Sequence, residues 1–219
     1  MTEPVKPKRR YASERRLEQA AGTRAAVIAA ARTLFVETGW KATTIAAVAR
    51  AAGVSSETVY AVFSSKEGLL RAVIEASIRR DRPDTPLLEQ AGPQGLAAAG
   101  DQREVIALFA RDIAAVLGSV ADLMAVVRTA AETDAEMGAL YRGLHEGRRR
   151  NLSFAAAALL KHGPLRGGIG EAEATAVLWR LASPELFLLL TRTEGLGAEA
   201  YAGWLAETLE AVLVAPRQA

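Results

Sequence analysis

The sequence predicts an all-α chain, an N-terminal three-helix helix-turn-helix domain followed by a larger helical domain. Three observations carry this. Apolar residues recur with the helical period along most of the chain. Two short helices with their own start signals flank a glycine turn within residues 43–70, the pattern of a helix-turn-helix, whose second helix enters the DNA major groove. Charge is divided unevenly: residues 1–82 carry 15 Lys and Arg against 8 Asp and Glu, and residues 83–219 carry 12 against 17. A basic first third on an acidic remainder suggests that only the first part meets a polyanion.

Residues 1–12 form a basic arm with Lys6, Lys8, Arg9 and Arg10 between prolines, expected to be disordered when free. It is either a solvated tail or an arm that follows the phosphate backbone or enters the minor groove. The helix-turn-helix domain spans 13–80. Its first helix starts near Ser13, with Gly22 a weak point, and Val27, Ile28, Ala31, Leu34 and Phe35 line one face before Gly39 closes it. Thr43 or Thr44 caps the next helix, on which Ile45, Val48 and Ala49 share a face, and Gly53 supplies the left-handed turn that ends it. Ser55 caps the second helix of the motif, with Val59, Val62 and Phe63 as its apolar positions. Ser64 to Glu67 has the form of a capping box for a further helix running past Ile78. Lys66 opposes the dipole of that helix by roughly 0.3–1 kcal/mol, an effect that a docked phosphate would reverse.

Residues 81–100, rich in proline and glycine, read as a linker, and 101–219 as the second domain. Its first helical segment is expected to be interrupted at Gly118 and Ser119, its third to run from about Asp134 to His162. Arg148, Arg149 and Arg150 read as a solvated or acid-paired face, with a nucleic-acid role as the alternative. Pro184 kinks or restarts the helix that begins at Glu171. Beyond it Leu186 to Leu190 are apolar on all sides, and in water a second apolar side calls for a partner, here another copy of the chain. The stripe of Tyr201, Trp204, Leu205 and Leu209 continues that surface.

The chain has no cysteine, so disulfide and thiolate chemistry are excluded, and His145 and His162 stand too far apart to suggest a metal site; no metal and no cofactor are expected. No phosphate loop or nucleophile elbow is present, so the chain is not expected to be an enzyme. No apolar run near 18 residues and no secretory signal stand out, which leads to the expectation of a soluble, cytoplasmic protein without membrane association.

The stretch from Thr23 to Ile78 resembles the DNA-binding domain of the TetR family of transcriptional regulators. The resemblance rests on the AA-x-x-LF core of the first helix, Gly39, the threonine pair, Ile45 with Ala49, then A-G-V-S, Thr58, Tyr60, Phe63 and S-K-E-x-L-L. It implies a homodimeric, ligand-responsive regulator, most simply a repressor, with an operator in double-stranded DNA and an unidentified small-molecule effector as partners. An orphan DNA-binding protein with a purely dimerising second domain is the alternative. By this resemblance Thr44, Tyr60 and Lys66 touch phosphates, while Ser55, Ser56, Glu57 and Thr58 lie where the recognition helix meets DNA, with Arg9 and Arg10 added from the arm. Glu57 either accepts from a cytosine amino group or satisfies its own helix terminus. Ala61 and Val62 offer little to a base edge.

The effector pocket is expected among Phe109, Met124, Arg128, Met137, Tyr141, His145 and Trp179, with Phe154 nearby, and Arg128 pairs either with the effector or with Glu132. The dimer interface is expected at Leu186, Phe187, Leu190, Tyr201, Trp204, Leu205 and Leu209, in keeping with a weaker resemblance of the last two helices to a family subgroup that pairs them as a four-helix bundle.

Overall fold

The computed structural model describes residues 8–79 and 91–216, and among them every regular element is helical. Helices α1 (Lys8–Ala42), α2 (Ile45–Ala52), α3 (Ser56–Phe63) and α4 (Lys66–Arg79) come first. Then follow α5 (Ala91–Ala98), α6 (Gln102–Ala131), α7 (Ala135–Lys161), α8 (Glu171–Leu181), α9 (Pro184–Leu188) and α10 (Ala198–Leu213). The chain divides into two compact units, Met1–Val73 and Ile74–Ala219. The division falls within α4, earlier than the expected boundary at residue 80, because Ile74 and Ile78 belong with the second unit.

In the first unit the apolar faces converge as their spacing requires: Val27, Ala31 and Phe35 of α1, Ile45, Val48 and Ala49 of α2, Val59 and Phe63 of α3, and Leu69 and Leu70 of α4 are all buried. Burying a side chain of this size contributes about 1.5–3 kcal/mol. Val62 departs from expectation. It is 42% exposed, because α3 has room for only one inward stripe. Residues 1–7 of the expected arm lie outside the described residues, and the backbone of Lys8, Arg9 and Arg10 is already helical. Gly22 does not interrupt α1; the break comes at Gly39, where φ is 78°.

Two start signals resolve differently from their sequence reading. Thr44 is the N-cap of α2, accepting from the Ala47 amide, whereas Thr43 is buried and donates its hydroxyl back to the Gly39 carbonyl. At α4 the capping hydroxyl belongs to Ser65, which accepts from the Gly68 amide at 2.9 Å. Ser64, expected in that role, instead ends α3 with φ 64°, its amide donating to the Tyr60 carbonyl. The consequence is a tight α3–α4 corner. A Cβ at Gly68 would lie 2.2 Å from the Phe63 carbonyl oxygen, so this position admits no side chain.

The second unit is assembled around α6 and α7, a helical hairpin turned at Glu132–Asp134, with α10, α9 and α5 packed on α6 and α8 on α7. Helix α6 runs unbroken through Gly118. One interior glycine costs about 1 kcal/mol, far less than the burial of Val105, Phe109, Leu117, Leu123 and Val127 on the same helix returns. Helix α5 occupies part of the stretch expected as linker, while residues 80–90 lie outside the described residues. Pro184 restarts the chain: Ser183 caps α9 by accepting from the Leu186 amide, with proline at the first turn, where it has no amide to waste. Two stretches, Gln102–Ala131 and Glu171–Thr193, are long and apolar enough to cross a membrane by length and composition, contrary to expectation. Core helices meet the same criterion, and here 44% of the apolar window in each stretch is buried within the protein.

Candidate DNA-binding surface and ligand cavity

The recognition helix α3 presents a polar, exposed face. Ser55 caps it, accepting from the Thr58 amide at 3.2 Å, with the Thr58 hydroxyl at the same distance. Ser56 and Thr58 are half-buried, and Glu57, Tyr60 and Ala61 are exposed. The Glu57 carboxylate turns back on its own backbone amide and on Ser55, and these bonds lower its pKa. That is the behaviour of an acid satisfying a helix N-terminus. Tyr60 is 53% exposed, leaving the hydroxyl free to reach outward while Val59 and Phe63, on either side, hold the helix down. Thr44 is exposed as well; its oxygen caps α2, and its O–H remains able to donate.

Lys66 has partners within its own unit. Its ammonium donates to the Trp40 carbonyl and sits 4.3 Å from the centre of the Trp40 ring, which stacks in turn on Phe35. Partial burial lowers its pKa. The lysine that opposes its own helix dipole is thus placed over a carbonyl at the C-terminal end of α1, where a cation is favoured. Sequence reasoning missed Trp40, the residue that makes this possible.

In the second unit a cavity of about 350 Å³ opens among α4, α6 and α7. Its walls are mostly apolar, with Phe109, Leu117 and Met124 from α6 and Leu144 and Phe154 from α7. Phe109, Met124 and Phe154 were expected there. Met137 is instead fully buried core, and Tyr141, His145 and Trp179 are not part of the cavity wall. Arg128 is exposed and forms no ion pair with Glu132 among the described residues; it borders a separate space of about 70 Å³ beside Glu185.

The polar member that sequence reasoning missed is Arg148. Of the three consecutive arginines, Arg149 and Arg150 are exposed and Arg148 turns inward. It donates to the carbonyls of Trp179 at 2.8 Å and Ala182 at 3.0 Å, closing the C-terminus of α8, and lies 5.1 Å from the centre of the Trp179 ring. Burial brings its pKa down to about 10. Beside it, Tyr141 donates to Glu185 at 2.8 Å and His145 Nε2 stands 3.6 Å from the same oxygen. His145 and the Tyr141 hydroxyl together hold the Glu185 carboxyl at about 2 against the opposing effect of burial. The Tyr141 phenol is pushed up to about 12, by burial first and then by Glu185.

The residues expected to form the dimer interface are largely spent inside the chain. Phe187, Leu190, Tyr201, Leu205 and Leu209 are core of this unit, with Phe187 and Tyr201 meeting edge to face at 4.8 Å. Leu186 and Trp204 keep partial exposure, and the exposed apolar residues of this region are Leu189 and Val212. Periodicity shows that a face is apolar without showing whether the same chain covers it.

Residues 27–73 match the family described as bacterial regulatory proteins, tetR family. No curated protein matches the sequence. Among solved structures the chain is similar to a protein described as a TetR-family transcriptional regulator from Rhodococcus sp., with 16% identity, a TM-score of 0.65, and 87% of this chain and 98% of that one covered. It is also similar to NalD, the secondary repressor of the MexAB-OprM multidrug efflux pump in Pseudomonas aeruginosa, at 22% identity and TM-score 0.64, covering 88% and 96%. A transcriptional regulator from Saccharomonospora viridis in complex with choline is 18% identical, with TM-score 0.62 and 88% and 98% covered. At these identities the likeness to solved structures establishes the fold.

Proposed function

We propose that this TetR-family transcriptional regulator is a cytoplasmic, homodimeric repressor that binds an operator through α3 and leaves it when a small molecule occupies the second unit. The observation that carries the reading is the presence in one chain of the matched DNA-binding segment, residues 27–73, and of an apolar cavity large enough for a ligand in the other unit. Helix α4 is divided between the two, its first residues in the DNA-binding unit and Ile74, Glu75 and Ile78 in the cavity wall. A ligand that favours one position of this helix over another shifts the population of DNA-competent protein by its difference in affinity for the two states. That NalD is a repressor and that the Saccharomonospora regulator holds choline support the same reading.

In this reading Thr44 and Tyr60 give their hydroxyls to phosphates, Ser56 and Thr58 face base edges or the backbone beside them, and Arg9 and Arg10 add charge. Two-fold pairing would place two recognition helices roughly 34–36 Å apart, one turn of DNA. The test is fluorescence anisotropy with the DNA upstream of the protein's own coding sequence, across a series of salt concentrations and against scrambled duplexes. Specific binding well above that to scrambled DNA is expected, and Tyr60→Phe should weaken binding to every sequence about alike, by roughly 0.5–1.5 kcal/mol. A steep salt dependence with no sequence preference would remove the operator-specific reading.

A further inference from the structure

We infer that the cavity ligand is a carboxylate-bearing apolar molecule whose charged end is read by Arg148. The inference rests on the ligand-binding role proposed for the cavity and specifies its chemistry. Among the described residues Arg148 is the one cationic side chain in the cavity wall, and its guanidinium is largely buried. Among the described residues no carboxylate oxygen lies within 4.0 Å of it; its partners are two backbone carbonyls and an indole face. Glu185, the acid whose charge acts on it, is already engaged by Tyr141 and His145. Arg148 Nε is buried and has no hydrogen-bond partner. An arginine cannot shed its proton to escape this position. A largely buried cation whose direct contacts are neutral dipoles, with Glu185 acting on it only through space, favours an anion in the adjoining cavity, and a planar one suits the guanidinium fork best.

The rest of the wall defines the rest of the molecule. Aromatic and aliphatic side chains dominate it, and Glu75 and Asp112 are the acids that also reach it. They come from α4 and from the first half of α6. In the α6–α7 hairpin, Arg148 stands about six residues closer to the turn than Asp112, roughly 9 Å along the helix axis. Wall residues lie on both sides of Arg148 along this axis, Met124 and Leu144 nearer the turn and Phe109 and Phe154 farther from it, so the cation sits within the wall and Asp112 is set off from it toward the far end. A ligand with its anionic group at Arg148 and an apolar body lying along α6 away from Asp112 satisfies both. The same guanidinium closes the C-terminus of α8, so occupancy would be felt at the α8–α9 joint.

The experiment compares decanoate, decanol and decylammonium for binding to the full-length protein by isothermal titration calorimetry. Decanoate should bind tighter than either of the others by about tenfold or more, the range of a hydrogen bond to a charged group. In Arg148→Gln the preference over decanol should fall to within about twofold, and Arg148→Lys should keep part of it. Equal binding of decanoate and decanol, preference for decylammonium, absence of decanoate binding, or a preference intact in Arg148→Gln each overturns the inference. The first two comparisons use the unaltered protein, so a misfolded variant cannot decide the matter. DNA binding is measured alongside. Decanoate preference without any effect on DNA leaves this inference standing and removes the repressor-release reading, whereas DNA release by neutral ligands alone does the reverse.

Discussion

Replacing Lys66 by methionine separates two roles that the sequence leaves superposed on that residue. Methionine keeps an unbranched stem of similar length and removes the ammonium, so the packing of the stem survives while the contact with Trp40 is lost. A hydrogen bond from a charged donor contributes about 1.5–3 kcal/mol and a partly exposed cation–π contact about 0.5–1 kcal/mol. Against these stands the desolvation that lowers the Lys66 pKa, and the group is only partly buried, so solvent screening reduces the whole. The net expectation is a destabilisation of about 1–2 kcal/mol. In a unit the size of Met1–Val73, each kcal/mol moves a thermal midpoint by about 4–8 °C.

Differential scanning calorimetry of the full chain reads that shift, and anisotropy against salt concentration reads the other role. Loss of one phosphate contact makes the slope of log K against log salt shallower by about 1. If Lys66 is a latch between α4 and the end of α1, the midpoint falls and the slope stays; affinity well below the midpoint changes little. A midpoint that does not move, together with a slope shallower by one, would refute the latch and return Lys66 to the phosphate backbone.

Three further outcomes follow from the second unit. The folded pKa of Glu185, about 2, lies below its ordinary value, so its contribution is present above about pH 4.5 and is lost as pH falls from there toward 2; Glu185→Gln should be less stable near pH 7 and lose less across that window, read by urea midpoints at each pH. Leu189→Asp places a charge on a side chain that is 48% exposed and should shift sedimentation toward the monomer with the thermal midpoint nearly unchanged, whereas Leu205→Asp, fully buried, should unfold the unit. A Cβ at Gly118 meets nothing within 4 Å, so Gly118→Ala should stabilise α6 by about 0.5–1 kcal/mol in a denaturant titration.

What could be read from the sequence is what depends on neighbours in the chain. The start of α2 at a threonine, its end at Gly53, the cap at Ser55 and the restart at Pro184 are all decided within four residues, and periodicity finds the inward faces of α1, α2 and α4. The misplacements share another cause. Ser64 and Ser65 are equivalent as caps until the backbone at the α3–α4 corner is known, and that corner is set by the approach of Gly68 to the Phe63 carbonyl. Gly118 looks like a helix end until the burial on both sides of it is weighed against one glycine. Tyr201 and Leu205 form a stripe whichever surface they meet, and only three-dimensional packing shows that α10 turns it toward its own core.

The arginines show the same limit at the level of chemistry. Arg128 stands out in the sequence as a lone charge on an apolar segment, while Arg148 is hidden in a run of three like charges that reads as solvated. Successive side chains on a helix point about 100° apart, so three consecutive arginines cannot share one environment when the helix packs along one side. The phase of α7 is fixed by Leu144, Leu152 and Ala155, which face the second unit's interior, and Arg148 falls four residues from both leucines, on the same face. Arg149 and Arg150 turn past it to the surface. A charge run on an amphipathic helix is therefore to be read residue by residue against the apolar phase. The member that falls on the apolar face is the one obliged to find partners, and its direct partners among the described residues are backbone carbonyls and an indole ring, with Glu185 acting on it only through space.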